Sequence, residues 1–132
     1  MPSLRFKVGK LIRDNLPAIM RDQGLRVFEH TLGNEAYDAA LRAKLLEEAA
    51  EAQLALTQAD LANELADLQE VILALASLHG LTAEEVEAAR LEKRRERGGF
   101  DGRIFNAAVE AEEGLAAADY YLARPDQYPQ EP

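Results

Sequence analysis

Two long stretches of helical composition meet at Thr57, and this junction constrains the fold more than any other feature of the sequence. Both stretches are rich in Ala and Leu, which are strong helix formers. Thr57 and Asp60 have the spacing of a capping box, so we expect one helix over about 35–56 and the next over about 58–79. Because only one or two residues would join them, the two helices must fold back on each other as an antiparallel hairpin.

Shorter elements flank this hairpin. Helical signals predict a first helix over 16–22, a fourth helix that begins after Thr82 and ends near Arg97, and a final helix within 104–123. The stretch 26–32 is the best candidate for a strand, which would need a partner at the N-terminus or on another subunit. The predicted fold class is all-α, a helical bundle with a central antiparallel hairpin, to which a short N-terminal strand or hairpin is the only expected addition.

Length and composition limit what else the chain can be. The 132 residues suit one domain, and we assign 1–123 to a single all-α domain and the Pro-rich 124–132 to a flexible tail. The absence of cysteine excludes disulfides and zinc–thiolate sites. The N-terminal residues lack the apolar core of a signal peptide, and no apolar stretch has the length of a membrane span. We therefore expect a cytoplasmic protein that does not contact a membrane.

Each helix of the hairpin carries two acidic residues three positions apart, Glu48 and Glu51 in one and Glu64 and Asp67 in the other. Residues at this spacing share a helix face. Glu51 and Glu64 are equally far from the turn, and so are Glu48 and Asp67. Four carboxylates should therefore form a small rectangle between the helices. The rectangle borders the predicted apolar stripe of the helix over 35–56. This stripe consists of Leu41, Leu45, Ala49, Ala52 and Leu56.

Four carboxylates held this close repel one another. The chain between Lys44 and Arg90 contains ten acidic residues and no Lys or Arg that could relieve the repulsion. A divalent cation would relieve it, and oxygen ligands alone favour Mg²⁺, with Mn²⁺ as an alternative. Because four carboxylates exceed what one Mg²⁺ usually takes, we expect two or more ions, bridged by a polyphosphate. The plainer interpretation is a pair of solvated helix faces, since most Glu side chains are exposed.

Basic residues lie on both sides of this acidic middle. Lys93 and Arg97 belong to one stripe of the fourth helix, where they could bind phosphate or simply form a solvated helix end. Lys10 and Arg13 lie in an N-terminal basic cluster and could contact a substrate or form a structural ion pair. The net charge of −9 argues against a general nucleic-acid binder. A metal–polyphosphate ligand would suit both regions, because its metal ions would bind the acidic residues and its phosphates would bind the basic residues.

The acidic motif reads E-E-A-A-E, a spacer of twelve residues, then E-L-A-D. It resembles the E-x-x-E and E-x-x-D pattern of the all-α nucleoside triphosphate pyrophosphatases, called MazG-like. The segments KLIRDNLP at 10–17 and KRRERGGF at 93–100 are similar to two segments of one branch, the phosphoribosyl-ATP pyrophosphohydrolase-like proteins. The resemblance extends from residue 7 to about residue 105.

The resemblance implies hydrolysis of a nucleoside triphosphate between its α and β phosphates, to the monophosphate and pyrophosphate, as nucleotide-pool house-cleaning. It implies catalytic roles for Glu47 and Glu48, in which Glu47 orients or deprotonates the water. The implied metal ligands are Glu48, Glu51, Glu64 and Asp67. The implied phosphate-binding residues are Lys93, Arg97, Lys10 and Arg13.

Two alternatives stay open. One is phosphoribosyl-ATP hydrolysis in histidine synthesis. The other is a non-enzymatic helical dimerisation module, which explains the amphipathic helices but not the carboxylate rectangle. The run 71–78 is apolar nearly all round, so we expect the helix to be buried at this end. One small bundle can hardly cover it, and this favours a homodimer or a dimer of dimers. The preferred base and sugar are not determined by the sequence.

Overall fold

The computed structural model describes residues 2–132, and every regular element in this part of the chain is a helix. The predicted all-α fold class is confirmed. By residue contacts the chain divides into two compact units, one ending at Arg95 and the other comprising Glu96–Pro132. The helices are α1 (Leu16–Asp22), α2 (Asn34–Leu54), α3 (Gln58–Leu78), α4 (Ala83–Arg97) and α5 (Ala116–Leu122).

Helices α2 and α3 pack against each other and form the hairpin that the sequence predicts. The link between them is three residues long, 55–57. At the start of α3 the backbone N–H of Asp60 donates a hydrogen bond to Thr57 Oγ1 at 3.1 Å, as expected of an N-cap. The equivalent bond from Glu85 N–H to Thr82 Oγ1, 3.0 Å long, caps α4. The two caps therefore fix where α3 and α4 begin.

The face that α2 turns towards α3 differs from the predicted apolar stripe. Leu41 is buried as expected, but Glu48 is also buried, whereas Ala49 is exposed. Leu41 and Glu48 are seven residues apart, which is nearly two full turns, so they lie on the same side of the helix. The buried face is thus shifted by about one residue from the stripe, and it includes a carboxylate.

The apolar run of α3 is buried on one side only. Val71 and Ala76 are buried, whereas Ile72 and Leu73 are exposed. One copy of the chain therefore covers only one side of this run. The physical reason is that one neighbouring helix can cover only one face of another.

The prediction of a strand over 26–32 is wrong, since this stretch has no regular structure. Side chains hold it instead of a sheet ladder. The Arg26 guanidinium donates to Ser3 Oγ at 2.8 Å, and the guanidinium carbon of Arg5 lies 4.4 Å from the centre of the Phe28 ring. No second strand is present among residues 2–132 to complete a ladder, and an isolated strand is not stable in water.

The second unit contains α5, which is much shorter than the helix expected within 104–123. Gly114, just before it, has a φ of +90°, which is outside the helical region and separates α5 from the preceding residues. Ala118 is buried, and the Tyr121 and Tyr128 rings meet edge to face with their centres 4.9 Å apart. Tyr128 belongs to the segment that the sequence assigns to a tail.

None of the helices in residues 2–132 combines the length and the apolar character that a membrane crossing requires.

Candidate metal centre

Three of the four predicted metal ligands converge in the hairpin. Glu48 and Glu51 come from α2 and Glu64 comes from α3, and one carboxylate oxygen of each lies within 4.8 Å of the others. Glu51 and Glu64 come together although Glu51 lies three residues before the end of α2 and Glu64 six residues after the start of α3. Glu48 joins them because it is nearly one turn before Glu51 on the same side of α2. We call these three residues the carboxylate cluster.

The cluster is partly withdrawn from water. Only 5% of the Glu48 surface is exposed, and Glu64 is half-buried. The Oε2 atoms of Glu48 and Glu64 are both buried, and neither has a hydrogen-bond partner in the described chain. A buried carboxylate oxygen without a partner is costly, because its hydration is lost without replacement. The arrangement therefore calls for a positively charged or hydrogen-donating ligand.

The surroundings of Glu48 disfavour its ionised form relative to that of a solvated carboxylate. Burial raises the pKa of Glu48 above its ordinary value, and the negative charge of Glu51 raises it further. Lys44, one turn earlier on α2, partly opposes this shift, since its Nζ lies 3.4 Å from Glu48 Oε1. A single lysine at this distance does not compensate for burial and for a second carboxylate.

Two basic residues of the N-terminal segment contact carboxylates beside the cluster. Lys10 Nζ lies 3.0 Å from Glu47 Oε1 on α2, and an Arg13 guanidinium nitrogen lies 2.7 Å from Asp67 Oδ1 on α3. The hydrogen bond between Lys10 and Glu47 lowers the pKa of Glu47 and raises the pKa of Lys10. Since the two residues are three positions apart, the segment 10–13 spans both helices of the hairpin.

These contacts bear on two sequence-based expectations. The acidic stretch has no basic residue within it, but Lys10 and Arg13 reach its edge from elsewhere in the chain. Asp67, the fourth predicted ligand, is engaged with Arg13 and lies outside the group of three oxygens that come together. The structure thus brings three corners of the predicted rectangle together and places an ion pair at the fourth.

The two residues of α4 that were predicted to bind phosphate are placed differently. Lys93 is exposed and makes no hydrogen bond or salt bridge within residues 2–132, and α4 does not pack against α2 or α3 in the unit that ends at Arg95. Arg97 belongs to the second unit. Phosphate binding by Lys93 and Arg97 stays a prediction.

Lys44 is the residue near the cluster that the sequence analysis did not single out. Its Nζ is 3.4 Å from both Glu47 and Glu48, and its side chain is largely buried. The signal was available, because Lys44 and Glu48 have the i, i+4 spacing at which helical side chains meet. Lys44 is the last basic residue before the acidic stretch, so it falls just outside the pattern that draws attention to the carboxylates.

The donor set of the cluster fits a divalent cation. All three groups are carboxylates, which are the hard oxygen ligands that Mg²⁺ and Mn²⁺ prefer. Among residues 2–132, two of their oxygens are buried without a hydrogen-bond partner, and the cation that contacts a cluster carboxylate is Lys44, at 3.4 Å. Glu48, Glu51 and Glu64 are therefore the residues that could hold an ion, with Asp67 next to them.

The fold and the cluster define an α-helical protein whose central hairpin carries a carboxylate centre. The sequence model of the phosphoribosyl-ATP pyrophosphohydrolase family matches residues 24–95, and this match includes the whole hairpin. Because it spans more than half of the chain, this protein belongs to that family, within the MazG-like all-α pyrophosphatases. It is therefore a pyrophosphohydrolase that acts on a phosphoric anhydride. No curated protein and no solved structure matches the chain.

Proposed function

We propose that the protein hydrolyses a nucleoside triphosphate between its α and β phosphates, in the cytoplasm, and so removes unwanted nucleotides from the pool. The observation that carries the proposal is the pair of buried, unpartnered carboxylate oxygens of Glu48 and Glu64 in the hairpin that the family match covers. Mg²⁺ ions at Glu48, Glu51, Glu64 and Asp67 would give these oxygens a partner. Two or more ions fit the number of carboxylates better than one does.

The reaction consumes one water molecule. The water oxygen forms a bond to the α-phosphorus, and the bond from this phosphorus to the oxygen that bridges to the β-phosphate breaks. The bridging oxygen leaves on pyrophosphate, and the water gives up a proton as the monophosphate forms. When bound, Mg²⁺ supplies neutralisation of the charge that develops on the phosphate oxygens.

Side chains around the cluster would orient the reactants. Glu47, beside the buried Glu48, orients the attacking water or accepts its proton. Lys10 and Arg13 lie at the edge of the cluster, so they can exchange their carboxylate partners for phosphate oxygens. Lys93 and Arg97 are proposed as further phosphate ligands, because the segment 93–100 is similar to a segment of the phosphoribosyl-ATP pyrophosphohydrolase-like proteins.

Phosphoribosyl-ATP is a second candidate substrate, favoured by the description of the matching family. It carries the same triphosphate group and would undergo the same cleavage. A non-enzymatic dimerisation module is not favoured, because the family is one of enzymes and because such a module needs no buried carboxylates.

The active form is proposed to be a homodimer or a dimer of dimers. The hairpin buries few apolar side chains, and Ile72 and Leu73 of α3 remain exposed. A second copy of the same hairpin would offer an apolar face of the same kind to cover them. Exposed apolar surface of this extent on a central helix is typical of an interaction face.

Product analysis tests the proposed function. The protein is incubated with Mg²⁺ and each common nucleoside triphosphate, and with phosphoribosyl-ATP, and the products are separated by anion exchange. We expect monophosphate and pyrophosphate in equal amounts from at least one substrate. Orthophosphate and a diphosphate as first products would contradict the assignment. A rate with phosphoribosyl-ATP that far exceeds all others would favour the second candidate.

A further inference from the structure

An open groove of about 300 Å³ lies at the link end of the hairpin. Two of its walls, Glu51 and Glu64, also belong to the carboxylate cluster, so the groove and the cluster are continuous. Its volume is at the lower end of the range for small-molecule sites. The lining residues are Glu51, Leu54, Ala55, Leu56, Asp60 and Glu64.

Two leucines give the groove its apolar character. Leu54 ends α2 and is 75% exposed, and Leu56 in the link is 96% exposed. Leucines this exposed gain free energy when a ligand covers them, by about 25 cal/mol for each Å² of apolar surface removed from water. They lie next to the carboxylate cluster, so a ligand that covers both leucines and reaches a divalent cation held by the cluster would be apolar at one end and anionic at the other.

The side of the cluster that is farther from the link is charged and carries two basic residues. Glu47 is four residues before Glu51 on α2, and Asp67 is three residues after Glu64 on α3, so both lie about one helical turn farther from the link. These are the two residues that hold Lys10 and Arg13, at 3.0 and 2.7 Å. Along the hairpin axis the order is therefore an apolar groove, a carboxylate cluster and a pair of cations.

We propose that this order fixes the direction in which the substrate lies. The nucleoside occupies the groove at Leu54 and Leu56, the α-phosphate lies at the carboxylate cluster, and the pyrophosphate portion extends towards Lys10 and Arg13. The proposal rests on the proposed function, which it deepens by assigning a nucleoside subsite. It makes Leu54 and Leu56 the residues that distinguish a nucleotide from an inorganic polyphosphate.

The orientation follows from matching each end of the ligand to its surroundings. The β and γ phosphates carry most of the negative charge, and apart from the proposed metal ligands Glu51 and Glu64 the groove offers them only Asp60 as a charged neighbour. In the reverse orientation, phosphates would face Asp60 and the base would face two cations, and both leucines would stay in water. Like-charge juxtaposition of that kind is strongly unfavourable.

Calorimetry with two probes tests the orientation. One probe is the non-hydrolysable α,β-methylene analogue of the nucleoside triphosphate that is cleaved fastest, and the other is inorganic pyrophosphate, each with Mg²⁺. The groove variant is Leu54→Ser with Leu56→Ser. Leu46→Ser is the matched control, because Leu46 is 73% exposed on the same helix and does not line the groove. The cation variant is Lys10→Gln with Arg13→Gln.

We expect the groove variant to bind the analogue about tenfold more weakly, which corresponds to roughly 1.4 kcal/mol from two uncovered leucines. Its affinity for pyrophosphate should stay within twofold of the wild-type value. The cation variant should lose affinity for both probes, and the control should lose neither.

Two results would overturn the orientation while the proposed function stands. One is a groove variant that binds the analogue as tightly as the wild type does. The other is a groove variant whose mass by light scattering falls to that of a monomer, which would make the groove a contact between copies. A wild-type protein that cleaves no triphosphate and binds neither probe would instead refute the proposed function.

Discussion

The Arg13 guanidinium lies 2.7 Å from Oδ1 of Asp67, so a cation from the N-terminal segment is paired with the fourth predicted metal ligand of the hairpin. Arg13 and an incoming divalent cation would compete for the same carboxylate. The ion pair thus places a counter-ion beside the carboxylate cluster, and a metal ion at Asp67 would weaken it.

The first prediction concerns that competition. Arg13→Gln should increase the affinity for Mn²⁺ in the absence of nucleotide by about two- to fivefold, the range expected when one exposed ion pair no longer competes. Titration calorimetry measures this. Arg90→Gln, which removes an exposed ion pair with Glu87 on α4, is the control and should change nothing. A drop in Mn²⁺ affinity in the Arg13 variant would mean that Arg13 supports the site instead.

The second prediction concerns Glu64, whose Oε2 atom is buried without a partner. Glu64→Gln keeps the side-chain volume and removes one of three neighbouring negative charges, so the metal-free melting temperature should stay the same or rise. Pyrophosphate release with Mg²⁺ should nevertheless fall at least about 100-fold, because charge stabilisation in the transition state is lost. If activity survives while the metal-free protein melts many degrees lower, the carboxylates are structural.

The third prediction is that Mg²⁺ raises the melting temperature of the wild type, because a ligand that binds only the folded state stabilises it. The increase should grow with the logarithm of the ion concentration once the site is saturated. Glu48→Gln should greatly reduce it. An equal increase in the wild type and in this variant would indicate a nonspecific salt effect.

The fourth prediction concerns pH and a contact away from the cluster. His79 Nε2 lies 2.6 Å from Asp38 Oδ1, and hydrogen bonds from His79 and Arg42 lower the pKa of Asp38. A carboxylate with a lowered folded-state pKa contributes stability above its unfolded pKa of about 3.9 and loses that contribution as the pH falls through the folded value. Asp38→Asn should therefore lower the melting temperature slightly at pH 5–7.

Melting the wild type and Asp38→Asn across a pH series tests this. The difference between them should be present at pH 5 and should shrink below about pH 4. Asp22→Asn is the control, since Asp22 is exposed and has no ion pair within residues 2–132. A difference that stays the same down to pH 2 would show that the Asp38 charge is not the cause.

The fifth prediction separates the roles of acids and bases in turnover. Lys93→Ala and Arg97→Ala should mainly raise KM, by about tenfold, if their phosphate contacts are equal in the ground and transition states. The carboxylate variants should instead lower kcat. Steady-state kinetics on purified variants distinguish the two patterns. A large fall in kcat for Lys93→Ala with KM unchanged would assign this lysine to the transition state.

Local signals predicted most of the fold. The capping residues Thr57 and Thr82 fixed the starts of α3 and α4, and the short link between α2 and α3 determined the hairpin. The proximity of Glu51 and Glu64 was predicted from a turn centred between Thr57 and Gln58, although the observed link at 55–57 lies nearer to Glu51. These features depend on neighbours within a few residues, and a sequence displays such neighbours directly.

Contacts over long sequence separations could not be predicted in the same way. The acidic stretch looked uncompensated, but Lys10 reaches Glu47 over 37 positions and Arg13 reaches Asp67 over 54. The burial of Glu48 instead of Ala49 depends on how α2 is rotated against α3, which periodicity determines only to about one residue. The absent strand at 26–32 shows that β-forming residues need a partner as well as a suitable composition.

The helical geometry of the hairpin also determines which sequence changes leave the carboxylate cluster intact. A substitution at 55–57 alters one side chain, and a change of length there falls in irregular backbone. Inserting or deleting one residue within α3 before Glu64 would instead move this side chain by about 1.5 Å along the helix and about 100° around it. Glu64 would then leave the face that meets Glu51. The number of residues between the start of α3 and Glu64 should consequently vary less than the residues themselves.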